Sequence, residues 1–480
     1  MLKEARQTTI ERTWAMEERR MTGGQAVTTR LRLAGVLSVM ALVFSACSSG
    51  ATSTPAASVA PSVAPSVAPS AAASPEPSAA AASPAAAPVT IEWWHISKDD
   101  PGKTLFANIA AAYTAAHPNV KINITVLENE AFKTKLATQM QSGNPPDLFQ
   151  SWGGGTMAAQ ADAGMLKDIT ADIASWKDTV NAGALSIYAY NDKQYGVPWD
   201  MGMIGFWYNK ALFAKAGIAA PPTTWADYLA DVSKLKASGV APLAIAGKDM
   251  WPSMHLWTYL LVRIGGADAL KQMIQSKNWN TPACTQAGDA VLKLNALNPY
   301  QDGYKSASYD NEAAAVGNGK AAMELMGQWA PGVQVADSTS KKGLGSDLGW
   351  FPFPAVTGGA GAPTDGVGGC NGIAVRKNAP PEAIDFLKFF SSVTNASSLN
   401  SSTPPTALSP VIGTESTVTD PNLQLVLKGR NQATFIQLYL DQATSPAMGT
   451  AINEATIALF LGQSTPQKVC QAITDAAAAQ

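Results

Sequence analysis

Three histidines, His95, His117 and His255, are the only imidazoles in the 480 residues, so acid–base work by imidazole would rest on them. His117 precedes Pro118 at a helix end and reads as a solvated cap. Asp200, Glu324 and Asp365 are the first carboxylates to weigh as a pair flanking a glycosidic bond, one as general acid and one as base or nucleophile. No GxSxG, HExxH, Walker A or GxGxxG occurs from Val89 onward, and "WGGG" at Trp152–Gly155 lacks the lysine a phosphate cradle needs. Beyond Cys47 the cysteines are Cys284, Cys370 and Cys470, with no CxxC spacing. An exported chain with that odd count forms one disulfide beside a spare thiol, or pairs none. Together with three scattered histidines they make no metal site, and no cofactor is expected. What the chain concentrates instead is aromatic surface beside a carboxylate. "GVPWDMGMIGFWYNKALF" (Gly196–Phe213) sets Trp199, Asp200, Trp207 and Tyr208 within ten residues. That chemistry suits holding better than reacting, and an enzyme is not expected.

The elements that must position these groups begin as β-α-β-α-β. "VTIEWW" (Val89–Trp94) reads as a strand, and "TLFANIAAAYTAAH" aligns Leu105, Ile109, Ala112 and Tyr113 on one helical stripe. "VKINITVL" alternates Val120, Ile122, Ile124 and Val126. Phe132, Leu136 and Met140 then step by four, and "PPDLFQ" enters a third strand. Strands alternating with helices imply a largely parallel sheet covered on both faces, whose ligands bind beyond the carboxyl ends of the strands. Further on, Thr224 caps a helix with Trp225, Tyr228, Leu229, Val232 and Leu235 buried and Gly239 as its stop; Pro380 and Pro381 open another. Trp257, spaced with Leu260, Leu261 and Ile264, reads as core. The expected class is α/β, with glycines and tryptophans gathered in loops.

The two ends of the chain differ. Leu33–Phe44 is an apolar run of twelve residues behind Arg30 and Arg32, too short to span a bilayer and suited to a secretory signal. It runs into "VFSAC", which resembles a bacterial lipoprotein signal with lipidation at Cys47, although Phe44 stands where Leu is usual. Residues before Met21 fit no signal, so translation starting at Met16 or Met21 is an alternative. The expected signal is thus 1–46. Residues 47–88 come next as a lipidated, disordered Ala/Ser/Pro tether with "VAPS" repeated at Val59, Val63 and Val67. Its span as a flexible coil is roughly 35 Å. About 390 residues from Val89 are too many for one core and suit two lobes. After residue 46 there remain 27 Lys and Arg against 32 Asp and Glu, a net charge of −5, which gives no footprint for nucleic acid.

Six segments carry a resemblance: "SGNPPDLFQSWGGG", "YGVPWDMGMIGFWYNKALFAKAGI", "PPTTWADYL", "GKAAMELMGQW", "LGWFPFP" and "GGCNGIAVRKNAPPEAIDFLKFF". Their order and spacing are similar to those of the extracellular solute-binding proteins of family 1, the sugar receptors of ABC importers, nearest to the xylo-oligosaccharide branch. The resemblance implies a two-lobed periplasmic-binding-protein fold of type II, with the ligand in a cleft between lobes joined by crossing strands. Residues 89–202 with about 370–412 would form one lobe, and 203–369 with about 413–480 the other. A pyranose presents flat C–H faces and a rim of hydroxyls, so aromatic planes and paired donors and acceptors are what such a cleft needs.

By that pattern Trp152 belongs to the first lobe's wall, Trp329 is the stacking aromatic of the second, Asp200 is a hydroxyl acceptor at the crossing, and Trp251 faces the cleft. Trp93, His95 and Glu130 are weaker carry-overs. "GGCNG" departs from the family's usual Gly-Gly-Gly-Asp-Gly, so Asn371 would make a neutral contact, and Cys370 is either bonded to Cys284 or Cys470 or packed as a thiol. Trp199 would face the cleft, with Trp207 and Tyr208 anchoring the second lobe. The implied partners are an oligosaccharide, the membrane permeases and a lipid anchor; a monomer held outside the membrane is expected. Two alternatives stand beside this reading. One is a secreted carbohydrate-active enzyme, and the other is a receptor for a non-sugar solute such as a polyamine, which would want several cleft carboxylates.

Overall fold

The computed structural model describes residues 87–480. The expected signal of residues 1–46, the lipidation at Cys47 and the tether up to residue 86 lie outside the described residues. The strands in chain order are β1 (Val89–His95), β2 (Val120–Val126), β3 (Leu148–Ser151), β4 (Ala189–Tyr190), β5 (Lys193–Gln194) and β6 (Gly196–Met203), then β7 (Gly205–Asn209), β8 (Ala241–Leu243), β9 (Ala321–Met326), β10 (Leu348–Phe351), β11 (Gly366–Val375) and β12 (Ile436–Leu438). They form two main sheets. The first runs β12-β11-β3-β1-β2 with β6 also paired to β11; the second runs β10-β7-β9-β8.

The first sheet is built as the β-α-β-α-β start requires. In β1, Ile91, Trp93 and His95 turn inward, and β1 pairs in parallel with β2 and β3. The helix Gly102–Ala116 lies between β1 and β2 and buries Phe106, Ile109, Ala110 and Tyr113. This departs from the expected stripe, because Ala112 is exposed and Phe106 takes the inward place expected of Leu105. The larger ring wins: Phe106 stacks on Trp93 at 5.4 Å and meets Phe390 edge-on at 5.2 Å. The helix ends at His117, whose Nδ1 lies 2.9 Å from the Tyr113 carbonyl, just before a proline that cannot donate. The helix Asn129–Gln141 is capped by the Glu128 carboxylate, which accepts from the Glu130 and Ala131 N–H groups.

The second sheet has its own core. Thr224 caps the helix Trp225–Ala237 as its sequence signals, and Trp257 is fully buried in the same hydrophobic cluster. The helical stretch Trp251–Ser276 is broken at Gly266, whose φ of 75° belongs to the left-handed region that glycine tolerates. Helices Pro282–Asn295 and Pro466–Ala478 are joined by a disulfide between Cys284 and Cys470, while Cys370 is a buried free thiol.

The chain passes between the sheets at three places. β6 and β7 are separated by Ile204 alone, yet belong to different sheets. A second passage joins β10 to β11, and here fully buried Arg263 binds the loop by donating to five carbonyls, those of Phe353, Pro354, Ala362, Pro363 and Asp365. The third passage leads through residues 401–440. β12 pairs with β11 in the first sheet, and the helices Pro446–Phe460 and Pro466–Ala478 return to the second-sheet side. Strand β11 is buried along its length and unusually rich in glycine. A Cβ at Gly369 would run into the Tyr439 ring, and one at Gly372 into the Tyr188 ring, so these strands close only around hydrogen.

Candidate functional site

A cavity of about 210 Å³ lies between the two sheets. On the first side it is bounded by the loops beyond the carboxyl ends of β1, β2 and β3: Ser97 and Lys98, then Glu128 and Asn129, then Trp152. The second side contributes Asp249, Trp251, His255, Tyr309, Asp310 and Trp329; the third passage adds Tyr439, and the short helix Leu440–Ala443 at its end adds Asp441. Six aromatic planes therefore face one space: Trp152, Trp199, Trp251, Tyr309, Trp329 and Tyr439. Most are held by neighbouring rings. Trp251 meets Tyr309 at 5.1 Å and His255 at 5.2 Å; Trp329 stands edge-on to Tyr439 at 6.1 Å; Trp152 stands edge-on to Phe132 at 6.0 Å.

Trp251 enters the cavity from a turn of rare geometry. Its N–H donates 2.7 Å to the Asp249 carbonyl across Met250, whose φ of 64° and ψ of −46° are those of a γ-turn with positive φ. Such turns are strained for a residue with a side chain, and strain of this kind gathers at ligand clamps. Here it aims Asp249 and Trp251 into the same space. The Asp249 carboxylate accepts the Tyr309 N–H at 2.8 Å, and burial raises its pKa above the ordinary range.

Charge crosses the cavity at two points. Lys133 Nζ is paired with Glu130 at 2.8 Å and rests 5.7 Å from the Trp152 ring centre and 6.0 Å from that of Trp251, one ring from each side. Lys98 Nζ lies 2.8 Å from Asp99, 3.3 Å from Asp310 and 3.8 Å from Asp337, the last two belonging to the opposite side. In all, Asp99, Asp100, Glu128, Asp249, Asp310 and Asp441 line the cavity against Lys98 and Lys133, an acidic balance unsuited to an anionic solute. Burial, with Lys133 nearby, lowers the His255 pKa to about 3, so its ring is neutral.

The family described as bacterial extracellular solute-binding protein matches residues 97–396. The chain belongs to that family. Among its relatives, an uncharacterized ABC transporter extracellular-binding protein of Pyrococcus horikoshii is 30% identical over 55% of this chain and 59% of its own length. The xylose/arabinose-binding protein XacG of Haloferax volcanii is 27% identical over 54% of this chain and 57% of its own length. The chain thus matches less than two thirds of either relative. A solved structure from work on xylan utilization by the thermophilic bacterium Caldanaerobius polysaccharolyticus has a TM-score of 0.75 at 26% identity, over 80% of this chain and 99% of that one. A chitin oligosaccharide binding protein has a TM-score of 0.73 at 24% identity over 82% of this chain and 98% of its own, a likeness of fold. The fold of this solute-binding protein is accordingly the two-lobed periplasmic type II.

Within the solute-binding protein, four of the eight expected ligand residues line the cavity: Trp152, Trp251, Trp329 and Asn371. The other four do not. Trp93 is fully buried in the first lobe's aromatic core, against Phe106, Phe386 and Phe390. His95 is 1% exposed, accepts the Ser97 N–H on Nδ1 at 3.2 Å, and has its pKa lowered to about 4 by burial. Both sit on the inward face of β1, packed against Phe106 of the helix Gly102–Ala116. Glu130 stands behind the wall and acts on Lys133. Asp200 is 1% exposed at the crossing and collects the Leu408 N–H and the Asn371 amide, each at 2.8 Å, and the Gln328 amide. It fastens β6, β11 and the turn after β9. The three carboxylates weighed for glycoside hydrolysis do not line the cavity and belong to separate hydrogen-bond networks: Asp200 as described, Glu324 with Gln334, and Asp365 with Ala362 and Thr434. Lys98, Lys133, Asp249, Tyr309, Tyr439 and Asp441 are cavity residues that sequence reasoning does not find. Only Tyr309 carries a local signal, as the first residue of a helix with a Ser308–Asn311 capping box.

Proposed function

We propose that this protein is the extracytoplasmic receptor of a saccharide importer, capturing a short sugar between its lobes and handing it to membrane permeases. The observation that carries the reading is the cavity itself, where six aromatic planes from both lobes alternate with carboxylates and amides. Rings supply surfaces for pyranose C–H faces, and Asp249, Asp441 and Asn371 supply partners for hydroxyls. A volume of about 210 Å³ is small beside the roughly 300–1,000 Å³ of drug-sized pockets, which favours one or two sugar rings. The xylose/arabinose-binding name of the Haloferax relative supports a pentose-based ligand. Sugar contacts made by both lobes favour the closed form, and Lys98 and Lys133 already reach across. Lipidation at Cys47 and the tether would keep the receptor near its permease. The protein holds its ligand without turnover in this reading.

One observation favours a second reading. Six carboxylates on the cavity wall are what a cationic solute, a polyamine or an amino sugar, would ask for. The test is a thermal-shift screen of the purified protein against xylose, arabinose, xylobiose, xylotriose, glucosamine and spermidine, with chromatography of the mixtures. Tight binding adds about 2.7 kcal/mol at a hundredfold excess over Kd. A rise with one neutral sugar series, unconsumed, and its loss in Trp329→Ala, is the expected result. A rise with spermidine alone transfers the site to cations, and a consumed sugar makes the protein an enzyme.

A further inference from the structure

The acidic wall of the cavity would attract a cation, yet each of its six carboxylates is already held by a donor of the chain. Lys98 answers Asp99 and Asp310. Glu128 accepts helix N–H groups on both oxygens, and Asp100 accepts from Thr104. Asp249 accepts the Tyr309 N–H, and Asp441 accepts from Asn453. What remains to draw a cation is the aromatic surface, because a ring face attracts an ammonium as well as the C–H face of a sugar. Part of that surface already faces a charge that belongs to the protein.

Lys133 stands on the helix Asn129–Gln141, directly after Phe132, which is fully buried and edge-on to Trp152 at 6.0 Å. Phe132 thus fixes the root of the lysine beside the ring that its head reaches. The Nζ is held by Glu130 Oε1 at 2.8 Å, and the Asn129 amide braces that same oxygen at 2.8 Å. From there the ammonium lies 5.7 Å from the centre of Trp152 in the first lobe and 6.0 Å from that of Trp251 in the second. One charge is therefore within cation–π reach of a ring from each side of the cleft. An ammonium has three N–H donors, and Glu130 is the one hydrogen-bond partner of this one among the described residues, so two remain for the rings or for a solute. The charge also reaches His255 on the second side, where it adds to burial in keeping that ring neutral.

We propose that Lys133 is a specificity-determining residue of this cleft: its ammonium holds the aromatic gap as a tethered cation, excludes cationic solutes by like-charge repulsion, and gives way to a neutral sugar ring. The proposal rests on the receptor reading for the neutral ligand, and on the geometry of Lys133 for the exclusion of cations. A free ammonium arriving at Trp152 and Trp251 would have to sit beside Lys133, in a partly enclosed space where screening is weak. A pyranose brings no such penalty. Its hydroxyls can accept from the two spare N–H groups, and the flexible stem of Lys133, 30% exposed, lets the head swing aside. A site that repels the wrong ligand in this way needs no additional contact to the right one.

Two variants separate charge from shape. Lys133→Met keeps the stem and removes the charge, whereas Lys133→Arg keeps the charge. Both should fold as the wild type does, checked by circular dichroism, because the side chain is partly exposed. Calorimetric titration of each protein with spermidine and with xylobiose supplies the test. Spermidine should bind Lys133→Met about tenfold or more tightly than it binds the wild type, and Lys133→Arg should resemble the wild type. Xylobiose, which no longer has an ammonium to displace, should bind Lys133→Met about threefold more tightly. Spermidine affinity equal in wild type and Lys133→Met, whether tight or undetectable in both, overturns the exclusion. Xylobiose binding that is lost in Lys133→Met and kept in Lys133→Arg makes the charge a sugar contact and overturns a group that gives way. Should xylobiose bind none of the three proteins while the spermidine gain appears, the exclusion stands and the saccharide reading falls.

Discussion

At Asn371 the departure from the family's usual carboxylate has a physical reason in this chain. Its Nδ2 donates to Asp200 at 2.8 Å, and its Oδ1 accepts from Gln150 at 3.0 Å. An Asp at this position would face Asp200 with a second charge in a buried site. Burial already lifts Asp200 to about 6. A carboxyl whose pKa is raised in the folded state takes up a proton on folding, so its stabilising effect is full below the unfolded value and fades as pH climbs through the folded one. Asn371→Asp should therefore cost about 2 kcal/mol at pH 8 and much less at pH 5, read from chemical unfolding at both pH values. The Asn371 amide is engaged on both sides, and what it can offer a sugar is its remaining hydrogen and lone pair. None of this pairing is legible in "GGCNG", because Asp200 and Gln150 are brought to it only by the register of three strands.

At the scale of elements the sequence is far more readable. Period-two and period-3.6 patterns place β1, β2 and the intervening helices, and Thr224 and Pro381 mark helix starts at the residues where they occur. Such signals are local, and so they survive in a string of letters. The site is not local. A place near a strand end suggests the cleft for Trp93 and His95, yet β1 turns alternate residues inward and puts both in the core. Positive φ at Met250, which aims Trp251, has no glycine to announce it. The partner of Cys284 is open in the sequence, and only the packing of two helices selects Cys470. That bond closes a separation of 186 residues. In the chain-entropy view a loop this long gives a stabilisation of about 5 kcal/mol at most. The double variant Cys284→Ala, Cys470→Ala should lower the unfolding temperature by several degrees while leaving ligand affinity unchanged, since neither residue lines the cavity.

Over the whole molecule, closure is set by what reaches from lobe to lobe. Lys98 carries a charge of the first lobe into a trio of carboxylates, two of which belong to the second. The groups are partly exposed, so solvent weakens the attraction, and its worth is about 1 kcal/mol. Lys98→Met should shift the ligand-free ensemble toward open forms, seen as a larger radius of gyration in small-angle scattering, and weaken binding about fivefold. An unchanged radius with unchanged affinity would mean that the passages alone set the lobe angle. The tryptophans on the cavity wall have an optical consequence as well. Of the thirteen in the chain, Trp152, Trp199, Trp251 and Trp329 border the space a solute would fill, and Lys133 rests against two of them. Indole emission depends on water access and on nearby charge, so an arriving solute that expels water or displaces that ammonium alters the colour and brightness of the protein's own fluorescence. The receptor would report its own occupancy without a dye.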